Sequence, residues 1–393
     1  MSRRAVLGGA AVALLLGACS AGGYGGPGAG PAFPAPQVAE PALGTGQVPV
    51  ALLLPLSGDP ALADVGTSMT NAAQLAMDFI AQSEDIGDNI RLTIKDTGAT
   101  AGGAAHAASA ALGEGAKLIL GPLKADQVTA AGSVARAAGV PLIGFSNNSG
   151  AAGPGVYLLN VLPESEVRRS MAYAQGQGRR AFAGVFSDSD FGRIQEGAFR
   201  QAASDLGLNA RAVYSFGSEA EARTVVQQLA PLLQQGQIDA LFIPDRGTAP
   251  SFGVLLEEAG VAPGGVLLIG SADWNGDAAI ASTPYLGGAI YPALDDAGYQ
   301  ALSPDYQARF GRPPHALATI AYTAVILANA SPLALANPPY DRTQLTLPGG
   351  FNGRDGVFRF LPDGRSDYAL VIKQVTAGGA TTVDGPKLSS AGN

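Results

Sequence analysis

The chain has 393 residues, 47% of them apolar, one cysteine and a formal net charge of −8. That length carries a sizeable core and sets a prior of two or three domains. An acidic chain without clustered Lys and Arg excludes nucleic acid as a partner, because neutralising phosphates needs those clusters.

Ser2, Arg3 and Arg4 precede an apolar run from Ala5 to Leu16, which ends in Leu16-Gly17-Ala18-Cys19. A basic start, an apolar middle and a small-residue cleavage site make a secretory signal over residues 1–18. The run is too short to cross a bilayer as a stable helix. Leu16 to Cys19 resembles a bacterial lipobox. The resemblance implies lipidation of Cys19 and a membrane-anchored lipoprotein on the periplasmic side of the envelope. A plain secretory signal cut after Ala18 is the alternative and leaves a free thiol. The start Ser2-Arg3-Arg4-Ala5-Val6-Leu7 also resembles a twin-arginine export signal. Losing Arg3 and Arg4 takes the net charge from −8 to −10. With Cys19 acylated no disulfide forms, so the fold rests on its core. Residues 19–47 are rich in Gly, Pro and Ala, have little to pack and read as a linker. No later run is long enough to span a membrane, so the rest is expected to be soluble on a tether.

From Val48 strand-like and helix-like segments alternate. Val50 to Leu54 is a continuous apolar run, as a strand buried on both faces requires. In Asp64 to Gln82, Met69, Ala72, Ala73, Ala76, Phe79 and Ile80 line one helical face. A strand over Ile90–Lys95, a helix over Ala101–Leu112, a strand at Leu118–Leu120, a helix over Asp126–Ala138 and a strand over Val140–Phe145 follow. This rhythm predicts a parallel sheet with right-handed crossovers and helices on both faces. It restarts after Val161, with helices over Glu164–Gln177 and Ile194–Leu206 and a strand at Phe182–Phe186 between them. Ser218 and Glu221 form a capping-box pattern for the next helix, which Pro231 is expected to kink or interrupt. Strands at Ile238–Ile243 and Val266–Ile269 flank a helix over Phe252–Ala259. Two α/β units predict two lobes with a cleft, lined by the loops after the strands. Helices over Tyr299–Phe310 and Leu317–Ala330 come next. A hairpin then pairs Gly356–Leu361 with Tyr368–Val375 around Pro362-Asp363-Gly364-Arg365.

Val50-Ala51-Leu52-Leu53-Leu54-Pro55-Leu56-Ser57-Gly58 resembles the opening of type 1 periplasmic binding proteins, the leucine-binding-protein superfamily. Lys117 to Pro122, Ala138 to Ile143, Ser187 to Gly192 and Gly356 to Phe360 with Asp363-Gly364 agree in order, so the resemblance covers Val48 to Val375. It implies a two-lobed α/β fold, each lobe a parallel sheet flanked by helices, with three inter-lobe crossings. These are expected near Leu159-Asn160, near Gly288–Tyr291 and before Gly349. Lobe 1 is then 48–160 plus 292–344, lobe 2 is 161–291 plus 345–376, and 377–393 is a tail. Leu54-Pro55-Leu56-Ser57-Gly58, Asn71 to Ala76 and Gly144-Phe145-Ser146-Asn147-Asn148 are most similar to penicillin-binding-protein activator lipoproteins.

Amino-acid binders of this fold hold a ligand carboxylate on helix N-terminal amides and Ser/Thr hydroxyls, where free donors and the helix dipole favour an anion. An acid on the other lobe holds the ammonium group. Here Leu123 and Lys124 replace the hydroxyl cluster, which counts against an α-amino-acid ligand. The resemblance makes Ser57, Lys124, Ser146, Asn147, Asn148, Asp188, Phe191, Asp245, Arg246 and Asp273 the candidates for the cleft, with Asp273 near the ammonium partner. Each also has a plain role as a helix cap or loop-amide partner.

Catalysis is not expected. His106 and His315 have no neighbouring carboxylate or nucleophile, no zinc-ligand spacing is visible, and there is no nucleophile elbow or P-loop. Asp273 to Asp277 resembles a calcium loop but lacks the downstream bidentate Glu. No metal or cofactor is therefore predicted. Two functions remain. One is a non-enzymatic lipoprotein that docks on a penicillin-binding protein and regulates peptidoglycan synthesis. The other is the substrate-binding protein of an ABC importer, partnered by its permease, for branched-chain amino acids or similar small solutes.

Overall fold

The computed structural model describes residues 42–389. The signal peptide, Cys19 and most of the linker lie outside the described residues. Within them the chain builds two large sheets and one small one.

The first sheet has the order β2-β1-β3-β4-β5, all parallel. Its strands are β1 (Val48–Leu54), β2 (Ile90–Asp96), β3 (Leu118–Leu120), β4 (Leu142–Gly144) and β5 (Val156–Leu158). Side chains alternate across the sheet. Val50, Leu52 and Leu54 enter one apolar cluster and Ala51 and Leu53 the other, so β1 reads as unbroken hydrophobic sequence. Helix α1 (Pro60–Gln82) lies on the first face, α2 (Ala101–Gly113) and α3 (Ala125–Ala137) on the second. Helix α1 starts four residues before the predicted Asp64, because the Asp59 side chain accepts from the Leu62 amide and Pro60 stands in the first turn. Both are start signals.

The segment before β1 closes the outer edge of this sheet. Leu43 and Leu92 exchange two backbone hydrogen bonds of 2.8 Å, and the Gly46 amide donates to the Ile90 carbonyl at 3.2 Å. Thr45 donates through its amide and its hydroxyl to Asp88, both at 2.7 Å. Only glycine suits position 46, where a Cβ would stand 2.1 Å from the Asn89 carbonyl carbon.

After β5 come α4 (Pro163–Gly176), β6 (Ala181–Ser187), α5 (Asp190–Asp205), β7 (Asn209–Phe216), α6 (Glu219–Gln234), β8 (Ala240–Phe242), α7 (Ala249–Glu258), β9 (Leu267–Ile269), α8 (Ala278–Ser282) and β10 (Ile290–Ala293). The parallel order β7-β6-β8-β9-β10 repeats that of the first sheet. Pro231 does not interrupt α6. It falls in the last turn, so the loss is confined to the one bond its missing N–H would give the Gln227 carbonyl, and only three helical residues follow.

The first crossing between lobes lies between Leu162, which still packs in the first lobe, and Val167, which packs in the second. The second does not lie at Gly288–Tyr291. β10 pairs with β14 through Ala293, and the chain returns to the first lobe only with α9 (Ala297–Phe310) and α10 (Ala318–Asn329), which pack on α1. The third crossing also differs from expectation. The strands β11 (Phe351–Gly353), β12 (Gly356–Phe360) and β13 (Ser366–Tyr368) form a small antiparallel sheet. Phe358, Phe360 and Tyr368 bury in the first lobe's cluster beside Tyr157, so 345–368 belongs there. The chain crosses at Ala369, and β14 (Leu370–Thr376) joins the second sheet. The predicted hairpin arm from Tyr368 to Val375 is therefore divided, and only Ser366–Tyr368 pairs with β12. Residues expected to be a tail form β15 (Gly379–Lys387), an antiparallel partner of β14 at the sheet edge.

Candidate functional site

The candidate residues all sit beyond carboxyl ends of strands. Ser57 follows β1, Lys124 follows β3 and Ser146 to Asn148 follow β4. Asp188 to Phe191 follow β6, Asp245 and Arg246 follow β8, and Asp273 follows β9.

On the first lobe several of these side chains serve the loops. Burial pushes the Asp96 carboxyl up, but hydrogen bonds from Ser57 and from the Gly98 and Leu56 amides hold it below the usual range. Ser57 is thus a partner of Asp96, a residue sequence reasoning did not single out. The buried Ser146 hydroxyl accepts from the Asn148 amide at 3.1 Å, and the Asn148 side chain accepts from the Gly150 amide at 2.9 Å. Asn147 is exposed. Lys124 precedes α3, whose first turn has no side-chain cap, and lies 3.9 Å from Asp126. The strand-to-helix turn before it is tight. Gly121 has a φ of +82°, and a Cβ there would meet the Leu53 carbonyl oxygen at 2.1 Å. Gln127 is wholly buried and donates to the Gly98 carbonyl at 3.0 Å, so α3 grips the loop after β2.

On the second lobe the structure brings Arg246 and Asp273 together at 3.4 Å, with Asp277 4.0 Å from the same guanidinium. Burial pushes the Asp273 carboxyl up and Arg246 opposes it. Asp188 and Asp190 share Arg193 at 2.7 and 2.6 Å, while Phe191 is half-buried. The Asp245 side chain accepts from the Gly247 amide at 2.9 Å. Trp274, next to Asp273, is buried and donates from its indole nitrogen to the Pro244 carbonyl at 3.1 Å. The loops after β8 and β9 are therefore held as one unit. In these loops Asp188, Asp190, Asp245, Asp273 and Asp277 outnumber Arg193 and Arg246, which favours a cationic group.

A further group was invisible in the sequence. Glu166 lies in the first turn of α4, buried, and its Oε2 accepts from the Ala272 amide at 2.8 Å. It fastens the turn that carries Asp273. Burial pushes this carboxyl up to about 7, and Asp273 and Glu164 add to the shift while the Ala272 amide opposes it. Gln195 of α5 faces Glu166, but neither end of its buried amide reaches a hydrogen bond. The amide is placed to accept from a protonated Glu166 or to donate to an ionised one. Only a charged residue flanked by buried helix positions marked this site. Among the described residues no group of His, Cys, Asp and Glu is arranged to hold a metal ion, and no helix is long and apolar enough to cross a membrane.

Two sheets, one parallel and one parallel but for β14 and β15 at one edge, joined by repeated crossings and with polar loops beyond their carboxyl ends, define a two-lobed binding protein. Residues 47–331 match the periplasmic binding protein family, and the chain belongs to that family. No curated protein matches the chain. Among solved structures it is similar to a provisionally assigned branched-chain amino acid ABC transporter from Rhodospirillum rubrum. The two share 21% identity over 86% of this chain and 99% of that one, with a TM-score of 0.73. A substrate-binding protein of an ABC transporter from Desulfitobacterium hafniense, in complex with Leu, is 19% identical over 86% and 99%, with a TM-score of 0.61. A solute-binding protein of an ABC transporter from R. palustris, in complex with benzoate, is 18% identical over 88% and 97%, with a TM-score of 0.56. At these identities the likeness is one of fold.

Proposed function

We propose that the chain is the solute-binding protein of an ABC importer and takes a small organic solute between its lobes. The observation that carries this reading is the polar wall of the second lobe, with Arg246 and Asp273 3.4 Å apart on loops fastened by Trp274 and Glu166. Solved relatives of the same fold that bind Leu and benzoate add support. The partner is then a permease, the location is periplasmic, and Cys19 carries the lipid that keeps the protein beside it. A thermal-shift screen of the full chain against amino acids, benzoates and short peptides tests the proposal, since a ligand that binds only the folded state raises its stability. No shift at saturating concentration counts against it.

The second reading, a regulator of a penicillin-binding protein, draws on one feature. Leu123 and Lys124 occupy the turn before α3 where hydroxyl donors for a carboxylate are expected. Recovery of a penicillin-binding protein by pull-down from envelope extracts, with no thermal shift for any solute, favours that reading instead.

A further inference from the structure

The chain passes between the lobes just after Leu162, after Ala293 and at Ala369. The end of the described chain adds a link that is not covalent, beside the hydrogen bond that Ser165 of α4 donates to the Ser366 carbonyl of β13 at 3.3 Å. β15 runs back along β14 until Lys387 stands opposite Leu370, at the third crossing. Ser389 then reaches both lobes. Its amide and hydroxyl donate to Asp367 of β13, at 3.0 and 2.6 Å, and its carbonyl accepts from Arg168 of α4 at 2.8 Å. Asp367 is buried and also paired with Arg359 at 3.0 Å, within the small sheet of the first lobe. One turn of α4 holds the strand itself. The buried Arg169 donates to Asp384 at 2.5 Å, to the Gly385 carbonyl at 3.0 Å and to the Leu370 carbonyl at 2.9 Å.

The link is polar, and its outer strand is shallow although it ends on the buried Asp367 and Arg169. Most of β15 is exposed, and cavities of about 190 and 310 Å³ flank its end, the first lined by Arg168, Arg365 and Asp367, the second by Arg169, Asp384 and Lys387. A contact with no apolar core behind it can part and re-form without exposing hydrophobic surface. Hinge rotation between lobes is absorbed by a few crossing residues, and Ser389 spans β13 and α4 beside the first and third crossings.

We propose that β15 with Leu388 and Ser389 is a releasable strap across the hinge, and that Ser389, gripped by Asp367 on one lobe and Arg168 on the other, limits how far the lobes open. Asp384 belongs to the same fastening. Burial pushes its carboxyl up, but Lys387 and Arg169 hold it below the usual range, so the strand stays tied to α4 at neutral pH.

Spin labels at Lys117→Cys and Gln235→Cys, in a Cys19→Ser background, report the separation of the lobes by pulsed electron resonance. The parent is expected to give one narrow distance distribution. A chain ended at Leu388, and separately Arg168→Gln, is expected to add a longer distance carrying on the order of a tenth of the molecules or more. The circular dichroism spectrum of each variant is expected to match the parent. Parent-like distributions in both variants overturn the strap. If the shortened chain loses its fold, Arg168→Gln decides alone, a longer distance supporting the strap and an unchanged one overturning it. No solute is needed, so this result stands apart from whether the solute proposal holds.

Discussion

Replacing Glu166 with Gln tests the electrostatics beneath the candidate site. Glu166 is buried, and its carboxyl is pushed from an ordinary 4.5 up to about 7. Below pH 4.5 it is protonated in both folded and unfolded chains and contributes nothing. Between 4.5 and about 7 the unfolded chain has released the proton and the folded chain has not, so stability falls as pH rises. Above about 7 the loss is complete. At about 1.4 kcal/mol per tenfold, it amounts to about 3 kcal/mol. Gln keeps an oxygen for the Ala272 amide and turns its own NH₂ toward the oxygen of Gln195. Glu166→Gln is therefore expected to match the parent at pH 4 and to exceed it by about 3 kcal/mol at pH 8. Urea unfolding of both chains, followed by circular dichroism across that range, measures the difference. A difference that does not change with pH refutes the reasoning, because the folded carboxyl would then titrate like the unfolded one.

Other expectations concern packing and the site. Gly66→Ala on α1 drives a Cβ to 2.0 Å from the Pro55 carbonyl oxygen and is expected to cost about 2 kcal/mol. Gly102→Ala on α2 meets nothing within 4 Å and is expected to gain about 0.5–1 kcal/mol; the same urea titration at fixed pH compares the two. Arg169→Met takes a donor from two carbonyls and leaves Asp384 with Lys387 alone, and is expected to cost about 2 kcal/mol, read as an earlier unfolding midpoint. For a solute that carries an ammonium group, Asp273→Asn is expected to weaken binding about tenfold by calorimetry, while Asp188→Asn, whose charge is already shared with Arg193, changes it little.

What the sequence makes legible follows from burial. β1 and β6 are sandwiched between helices, so their residues must be apolar on both faces, and both runs stand out. α1 carries its apolar stripe because one side packs on the sheet. β7 and β15 lie at sheet edges; β7 carries only an alternation, with Ala212, Tyr214 and Phe216 toward one cluster, and β15 is mostly exposed, so neither forms an apolar run. β9 pairs with β10 only at Ile290, so Pro292 stands past that ladder and β10 continues along β14 through Ala293. The resemblance places the second crossing before this extension, which rests on pairing with a strand far on in the sequence. At the site, position after a strand located the candidate loops. Which charges meet, as Arg246 meets Asp273, depends on how two loops distant in sequence pack, and Glu166 is set by a backbone amide that sequence does not display.

The few residues ahead of β1 have a mechanical meaning. A pull on the chain preceding Ala42 first loads the mutual bonds of Leu43 with Leu92, then the grip of Thr45 on Asp88 and the Gly46 bond to Ile90. These form a sacrificial clip at the rim of the sheet. β1, paired on both sides by β2 and β3, bears force only after the clip has opened. Drag on the globular body, or a tug from whatever holds the N-terminus, is thus spent on a handful of edge bonds that re-form when the load is gone, and the central strand, with the lobe built around it, keeps its register.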